Sequence, residues 1–503
     1  MKFTKFISSI FLMIAFVSAR NWDFEKSIFC TGRLLHDVQM LELLGGQREF
    51  LELKLKRSGE AVMRSYRDLR PKIKIKQPEG REALKEFITN NFQNVTTLEP
   101  HVPIDWKSQF PLLHLVNDNQ ARDMLRRMNR NLIKFSRVMK SEVRENLTLY
   151  SYLPVPFPFF IAYLNENQLT YRDSYWVMEA LLACDMLKSA KRLLLNLISL
   201  VVEVGHVPPE NRIFFVNRCA PPILPLMLHR YFQETKDFKF VKKYFRAVEH
   251  DYLHWFGERS QIVRTPFHIF LCVTEEKERL RLPRPEKYLE DMTFKKKPPR
   301  GDLDFSFVWW DSPPPVSTVS IRSTSITEWS ARVLAEFSKE YGSYDHVDMY
   351  YNISKQMVNT IDNLLYTSEG GWKSFDPKKG QVGRLSLWPV YSGSHELINS
   401  DVLPDPITAE EYLIAVRILL SNGRVNDARE LATKWVLIQR GQADTSLINT
   451  CVTILMIKHF PEISIPPETE DINYLNPICA VTSILLILFN LYSTIEKLVL
   501  TIF

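Results

Sequence analysis

Glycine is in short supply: 16 in 503 residues, well under the roughly 7 % of average usage. Neither G-x-G-x-x-G nor a Walker pattern occurs. The glycine turns that let backbone amides cradle a phosphate are therefore missing, which largely excludes nucleotide chemistry. Cysteine is sparse too. Cys30, Cys184, Cys219, Cys272, Cys451 and Cys479 are widely spread and none forms C-x-x-C, so the fold does not depend on a disulfide framework, although one or two bridges stay open in an oxidising compartment. Charge of one sign is also lacking. A formal net charge of +6 over this length is too little to argue for nucleic acid, and the Lys72/Lys74/Lys76 and Lys295–Lys297 runs read as solvated surface. There is no G-x-S-x-G elbow and no H-E-x-x-H. His250 and His254 sit four apart on a helical stretch but lack a third ligand, so no metal and no cofactor are expected.

Apolar residues make up 45 % of the chain and charged residues 24 %, enough to bury a large core. Lys2 and Lys5 precede an apolar run from Ile7 to Val17 that ends in Val17-Ser18-Ala19; residues 1–19 read as a cleaved secretory signal. Three sequons, at Asn94, Asn146 and Asn352, fit an exported glycoprotein. Between Ile478 and Ile495 only Asn490 and a few hydroxyls interrupt a second apolar run, about long enough to cross a bilayer. Three readings of residues 478–503 stand side by side: a spanning helix, a tail removed for a lipid anchor, and a buried terminal helix. Residues 466–477 would be a spacer in either membrane case. The expected location is the secretory pathway, ending extracellular or tethered to the plasma membrane.

Between these ends, residues 20–465 read as one helical domain. After Asn117-Asp118, apolar side chains recur at Ala121, Met124, Leu125, Met128, Leu132 and Phe135, one face of an α-helix. Asp173-Ser174 opens another run, followed by Ala190 to Val204. Ile326 to Tyr341 stops at Gly342 and Tyr344 to Tyr366 resumes; Ala409 to Leu420 stops at Asn422-Gly423 and Val425 to Ile438 resumes. Glycine after a periodic run ends a helix because it tolerates the left-handed conformation, and short connectors between long helices make antiparallel neighbours. No strand ladder is expected. Proline clusters at 283–285, 298–299 and 313–315 enclose a non-helical insertion.

That insertion holds Gly301-Asp302-Leu303-Asp304-Phe305-Ser306-Phe307-Val308-Trp309-Trp310-Asp311, three carboxylates interleaved with four aromatics. Aromatic faces stack on sugar rings, and a carboxyl shielded by them gains a raised pKa suited to proton donation; a loop anchored to the core by its aromatics reads the same way. Arg281 to Asp291, and Asn211-Arg212 with Asn217-Arg218, supply multi-donor arginines, although as isolated clusters they read first as solvated surface.

Taken in order, these patches resemble the trehalase family of glycoside hydrolases from about Ile28 to Pro461. Ile28-Phe29-Cys30-Thr31-Gly32 matches near the start, and Tyr171 to Asp185 is similar to the family's Y-W-D-S-Y-W region. Gly205-His206-Val207-Pro208 with Asn211-Arg212 and Asn217-Arg218 resembles G-F-I-P-N-G-N-R…R-S-Q-P-P-L. Arg284-Pro285-Glu286-Lys287-Tyr288 resembles R-P-E-S-Y, and Asp304-Phe305-Ser306 stands where the family has W-D-F-S-S-R-W. The resemblance implies an all-α (α/α)6 toroid that hydrolyses α,α-trehalose to glucose with inversion. It implies Asp304 as general acid and Arg218, Arg284, Glu286 and Asp173 at the substrate, with trehalose or a related sugar as the partner.

The departures carry equal weight. Asn165 stands for the family's Arg, Gln168 for its Glu, Arg172 for a Trp, Leu303 for the Trp before the acid and Val308 for the Arg after it. Each lost hydrogen bond to a sugar hydroxyl is typically worth about 0.5–1.5 kcal/mol. The family's general base lies in a G-G-G-E-Y loop. Here Val425 to Gln439 runs through Gly441-Gln442-Ala443-Asp444 into the next helix, so no base is found by motif. Glu396, Asp401 and Asp444 are the carboxylates that would have to replace it. The expectation is a weak or inactive hydrolase, with a non-catalytic sugar-binding or protein-interaction scaffold as the alternative.

Overall fold

Asp118 starts the helical array as the sequence suggests: its carboxylate accepts the Ala121 N–H at 2.8 Å, satisfying one of the orphan donors of a helix start. The helix it caps, α1 (Asn119–Phe135), buries Ala121, Met124, Leu125, Met128, Leu132 and Phe135, the stripe read from their spacing. The structure is a computed structural model and describes residues 23–74, 77–265, 268–274, 283–293, 318–340, 344–377, 379–396, 404–442 and 445–466.

From α1 onward, helices alternate between a central ring and an outer layer. They are α2 (Ser174–Ala183), α3 (Leu187–Val204), α4 (Leu224–Thr235), α5 (Phe238–Arg259), α6 (Ile321–Glu340), α7 (Tyr344–Thr360), α8 (Trp388–Tyr391), α9 (Ala409–Ser421), α10 (Val425–Arg440) and α11 (Leu447–His459). Helix α2 packs on α4, α4 on α6, α6 on α8, α8 on α9, α9 on α11, and α11 back on α2. The ring closes. Composition explains which helices lie inside: every residue of α2 is buried, as befits a helix apolar all round. Outer helix α10 buries only the stripe Ala428, Ala432, Trp435, Val436 and Gln439. This is the all-α (α/α)6 toroid that the resemblance implied.

Gly205 (φ 87°) ends α3 and Gly423 (φ 74°) turns α9 into α10, the left-handed positions expected of glycine after a helix. The alternation is irregular in one place. Between α6 and α9, the inner position is held by α8, a single turn, reached through a π-helical turn (Ile361–Leu365) and a hairpin.

That hairpin corrects one expectation. Short strands are present: β1 (Ser260–Arg264) pairs with β2 (Ile269–Val273), and β3 (Trp372–Asp376) with β4 (Gly380–Ser386). A three-stranded sheet forms from 98–100, 136–139 and 159–160. Such pieces are too short to print a period-2 pattern, and they stand because neighbours fix them; Thr360, for example, donates its hydroxyl to the Leu271 carbonyl at 2.7 Å. The proline-bounded insertion is also less irregular than expected. It begins with a 3-10 turn, Pro285–Lys287, and a helix, Tyr288–Thr293, closed by the Arg284 N–H on Asp291 Oδ2 at 2.7 Å. Cys30, Cys184, Cys219, Cys272 and Cys451 are thiols rather than half-cystines, so no bridge forms among the described cysteines. Residues 1–19, 467–477 and 478–503, with the three readings of the tail, lie outside the described residues. Among those described, no helix is long and apolar enough to cross a membrane.

The middle of the toroid is polar. Glu179 of α2 takes Arg230 of α4 at 3.2 Å and also Arg417 of α9; Arg417 donates to Tyr391 of α8 at 2.8 Å and to His459 of α11 at 3.1 Å. Burial works to raise the Glu179 carboxyl, but the two guanidiniums outweigh it and hold it below the usual carboxylate range. One ionic knot thus ties five inner elements, which an apolar core would leave free to slide.

Candidate functional site

One cleft, the crown, is built where α2, α4, α6, α8 and α9 meet. It is lined by Arg172 just before α2 with Tyr175 and Trp176, Ile223 just before α4 with Leu226, Arg322, Ile326 and Trp329 of α6, Trp388 of α8 and Glu410 of α9. Converging helix N-termini carry partial positive charge and favour carboxylates. Glu410, in the first turn of α9, lines the cleft, and Asp173 stands next to the start of α2.

Glu410 is held from three sides. Trp176 Nε1 and Arg322 Nη2 donate to Oε1 at 3.0 and 2.8 Å, and Arg172 Nη2 lies 3.6 Å from Oε2. A reciprocal capping box of Thr408 and Glu411 fixes the turn that presents it. The Arg322 guanidinium also lies 5.1 Å from the centre of the Trp388 ring, a cation–π distance. Burial pushes the Asp173 carboxyl up, Arg172 pulls it down and Glu410 pushes it up again; the balance is a raised pKa. The cavity left between these groups is about 10 Å³.

The other residues singled out by sequence form two clusters. Arg218 and Glu286 come together across 68 residues of chain as a bidentate pair, Nη1–Oε1 at 2.6 Å and Nη2–Oε2 at 3.2 Å, with side chains 6 % and 5 % exposed. The Arg218 guanidinium lies over Phe215 at 4.7 Å, and its carbonyl accepts from His206 Nε2 at 2.9 Å. His206 in turn stacks flat on His254, ring centres 4.1 Å apart. Arg284 is bound to Asp291 at 2.7 Å. In the third cluster Arg48 meets Glu210 at 3.1 Å, and Arg212 lies over Tyr152 at 3.6 Å while donating to Ser151 at 3.0 Å. Gln168, next to the Asn167 whose carbonyl Arg212 reaches at 3.5 Å, is buried and leaves its amide nitrogen without a hydrogen-bond partner among the described residues.

Asp304, the general-acid candidate, lies outside the described residues, as do Asp401 and Asp444. Glu396 is exposed, next to His395, whose Nε2 meets Asp362 at 2.7 Å. Between α10 and α11 the connector is six residues, 441–446. Both ends are tied: Arg127 donates to the Gln439 carbonyl at 3.0 Å, and Ser446 caps α11 and bridges to Tyr163. Among the described residues no group of three His, Cys, Asp or Glu side chains is placed to hold a metal. His254 pairs with His206 instead.

Glu410, Arg322 and Trp388 escaped the sequence reading because they come from three separate helices. Arg322 did carry a signal: a cation in the first turn of a helix opposes the macrodipole, so something other than helix stability keeps it there.

The family model described as Trehalase matches residues 42–306, more than half of the chain. Trehalase from Oryctolagus cuniculus is 27 % identical over 403 residues, covering 73 % of this chain and 68 % of that protein. Trehalase from Tenebrio molitor is 25 % identical over 454 residues, covering 82 % and 81 %. Among solved structures, neutral trehalase Nth1 from Saccharomyces cerevisiae matches with a TM-score of 0.47 and 15 % identity over 60 % of this chain and 74 % of that one. The chain belongs to the trehalase family.

Proposed function

We propose that this protein is a trehalase-family glycoside hydrolase whose nominal reaction, inverting hydrolysis of α,α-trehalose to two glucoses, is weak or lost. Inversion needs an acid to protonate the glycosidic oxygen and a base to activate water, with carboxyls roughly 6.5–9.5 Å apart. Asp304 is the acid by motif position.

The observation that carries the reading is how little room the described residues leave in the crown. A cavity of about 10 Å³ has room for about one water, whereas ligand pockets typically run to roughly 300–1,000 Å³. Its carboxylate Glu410 is also poorly disposed as a base, since Arg322 binds it. The short, tied connector at 441–446 supports the same conclusion, since a loop that reaches across a pocket needs more chain. The test is glucose release from trehalose by the purified protein, alongside Asp304→Asn. The expected result is a trace rate or none. A robust rate abolished by Asp304→Asn would refute the proposal and require another carboxylate, such as Glu396, Asp401 or Asp444, as the base.

The alternative, a sugar-binding or protein-interaction scaffold without catalysis, draws on Trp176, Trp329 and Trp388 in the crown lining. Calorimetry at millimolar trehalose separates the two uses: detectable heat supports a sugar site, and none leaves the interaction surface. Export to the cell surface, with a membrane-held tail, belongs to the proposal as well. The exposed side chains of Asn94, Asn146 and Asn352 support it, and a mass loss on peptide N-glycosidase treatment of the secreted protein would test it.

A further inference from the structure

The most unusual chemistry outside the proposed acid is the set of donors around Glu410. A neutral disaccharide offers hydroxyls, each of which both donates and accepts. Here two guanidiniums and one indole N–H converge on a single carboxylate: Arg322 at 2.8 Å, Trp176 at 3.0 Å and Arg172 at 3.6 Å. Planar guanidiniums in that number suit a carboxylate or phosphate. The carboxylate now in place belongs to the protein itself.

We infer that the crown is a receptor for a saccharide bearing an anionic group, a uronate or a sugar phosphate, and that Glu410 occupies the anion's place as an internal surrogate. The inference rests on the reading of the crown as the sugar end of the toroid and deepens it by naming the ligand class. The charges favour it. Arg172 lies 3.6 Å and Arg322 2.8 Å from the carboxylate of Glu410, so two guanidiniums share one carboxylate. The grip is uneven as well. Arg322 is 25 % exposed and braced on Trp388, while Arg172 is 65 % exposed and stands beyond hydrogen-bond range of Glu410. An incoming anion would meet Arg172 first and then compete with Glu410 for Arg322 and Trp176. Trp388 supplies the flat apolar face that a sugar ring needs next to its charge.

The test is calorimetry of the purified protein and of Glu410→Gln with glucuronate, glucose 6-phosphate, glucose and inorganic phosphate, after circular dichroism has established folding. Removing the surrogate's charge should tighten binding of glucuronate and glucose 6-phosphate at least tenfold and leave glucose unchanged. Equal gains by glucose would make Glu410 a steric latch over a neutral-sugar site and overturn the inference. Equal gains by inorganic phosphate would remove the sugar from it, and no gain in a folded variant would overturn it outright. Should Glu410→Gln not fold, Arg172→Gln on its exposed side chain serves instead. It should weaken glucuronate binding to the unaltered crown at least fivefold, and unchanged binding refutes the inference. Glucose release from trehalose reads the proposed loss of catalysis separately, so the two readings fail independently.

Discussion

Cutting one side of the Arg218–Glu286 pair should cost more stability than any surface ion pair of this protein. Arg218→Met removes a guanidinium that makes two hydrogen bonds, at 2.6 and 3.2 Å, inside a site where both side chains are about nineteen-twentieths covered. Breaking a buried pair from one side strands the other charge, which costs about 3–5 kcal/mol. Arg429–Glu462 provides the control. Its distance is similar, 3.0 Å, but its side chains are 43 % and 50 % exposed, and such pairs contribute roughly 0–1 kcal/mol. Urea unfolding of Arg218→Met, Arg429→Ala and the double variant Arg218→Met/Glu286→Leu measures all three. The double variant should recover most of the loss, because an apolar pair of similar volume no longer leaves a buried charge. Salt should weaken the Arg429 pair and leave the Arg218 pair nearly unchanged, since screening reaches exposed charges. If Arg218→Met costs no more than Arg429→Ala, the pair is not the buried anchor described above and the reasoning fails.

Burial lowers His206 to about 3 and His254 to about 4. Their unfolded counterparts take up protons from about pH 6.5 downward, so the unfolded state binds more protons below that and stability should fall as pH drops from about 6.5 toward 4. Asp251, raised to about 6 by burial, works in the opposite direction between about pH 6 and 4, and the two stacked histidines outweigh it. Urea midpoints against pH should show the decline, and His206→Phe should flatten it; an unchanged slope would contradict the assignment. Thr408→Ala removes the cap that presents Glu410 and should cost about 1 kcal/mol, read as a shift in the urea midpoint with m unchanged.

The helices were legible because burial on one face writes a 3.6-residue period into the chain, as in Ala121 to Phe135, and because glycines such as Gly205 and Gly423 mark the turns. What the sequence could not show was pairing across the ring. Arg218 and Glu286 each stood out by resemblance, yet nothing in the sequence says that they pair across a separation of 68. Glu410 and Arg322 are 88 apart, and the one local oddity, a cation in the first turn of α6, names no partner. The one-turn α8 went unseen for a different reason: four residues, Trp388–Tyr391, are too few to carry a period. Short hairpins such as β3–β4 are held by tertiary neighbours rather than by their own alternation, so their residues gave no strand signal.

The central claim is that the protein's own side chains fill the crown of its inner ring. A crystal structure grown with millimolar trehalose tests it directly. The account predicts Glu410 still within hydrogen-bond distance of Arg322 and Trp176, with no disaccharide between the tryptophans. A bound disaccharide flanked by Asp304 and a second carboxylate, with one water placed between that carboxylate and the sugar, would contradict it.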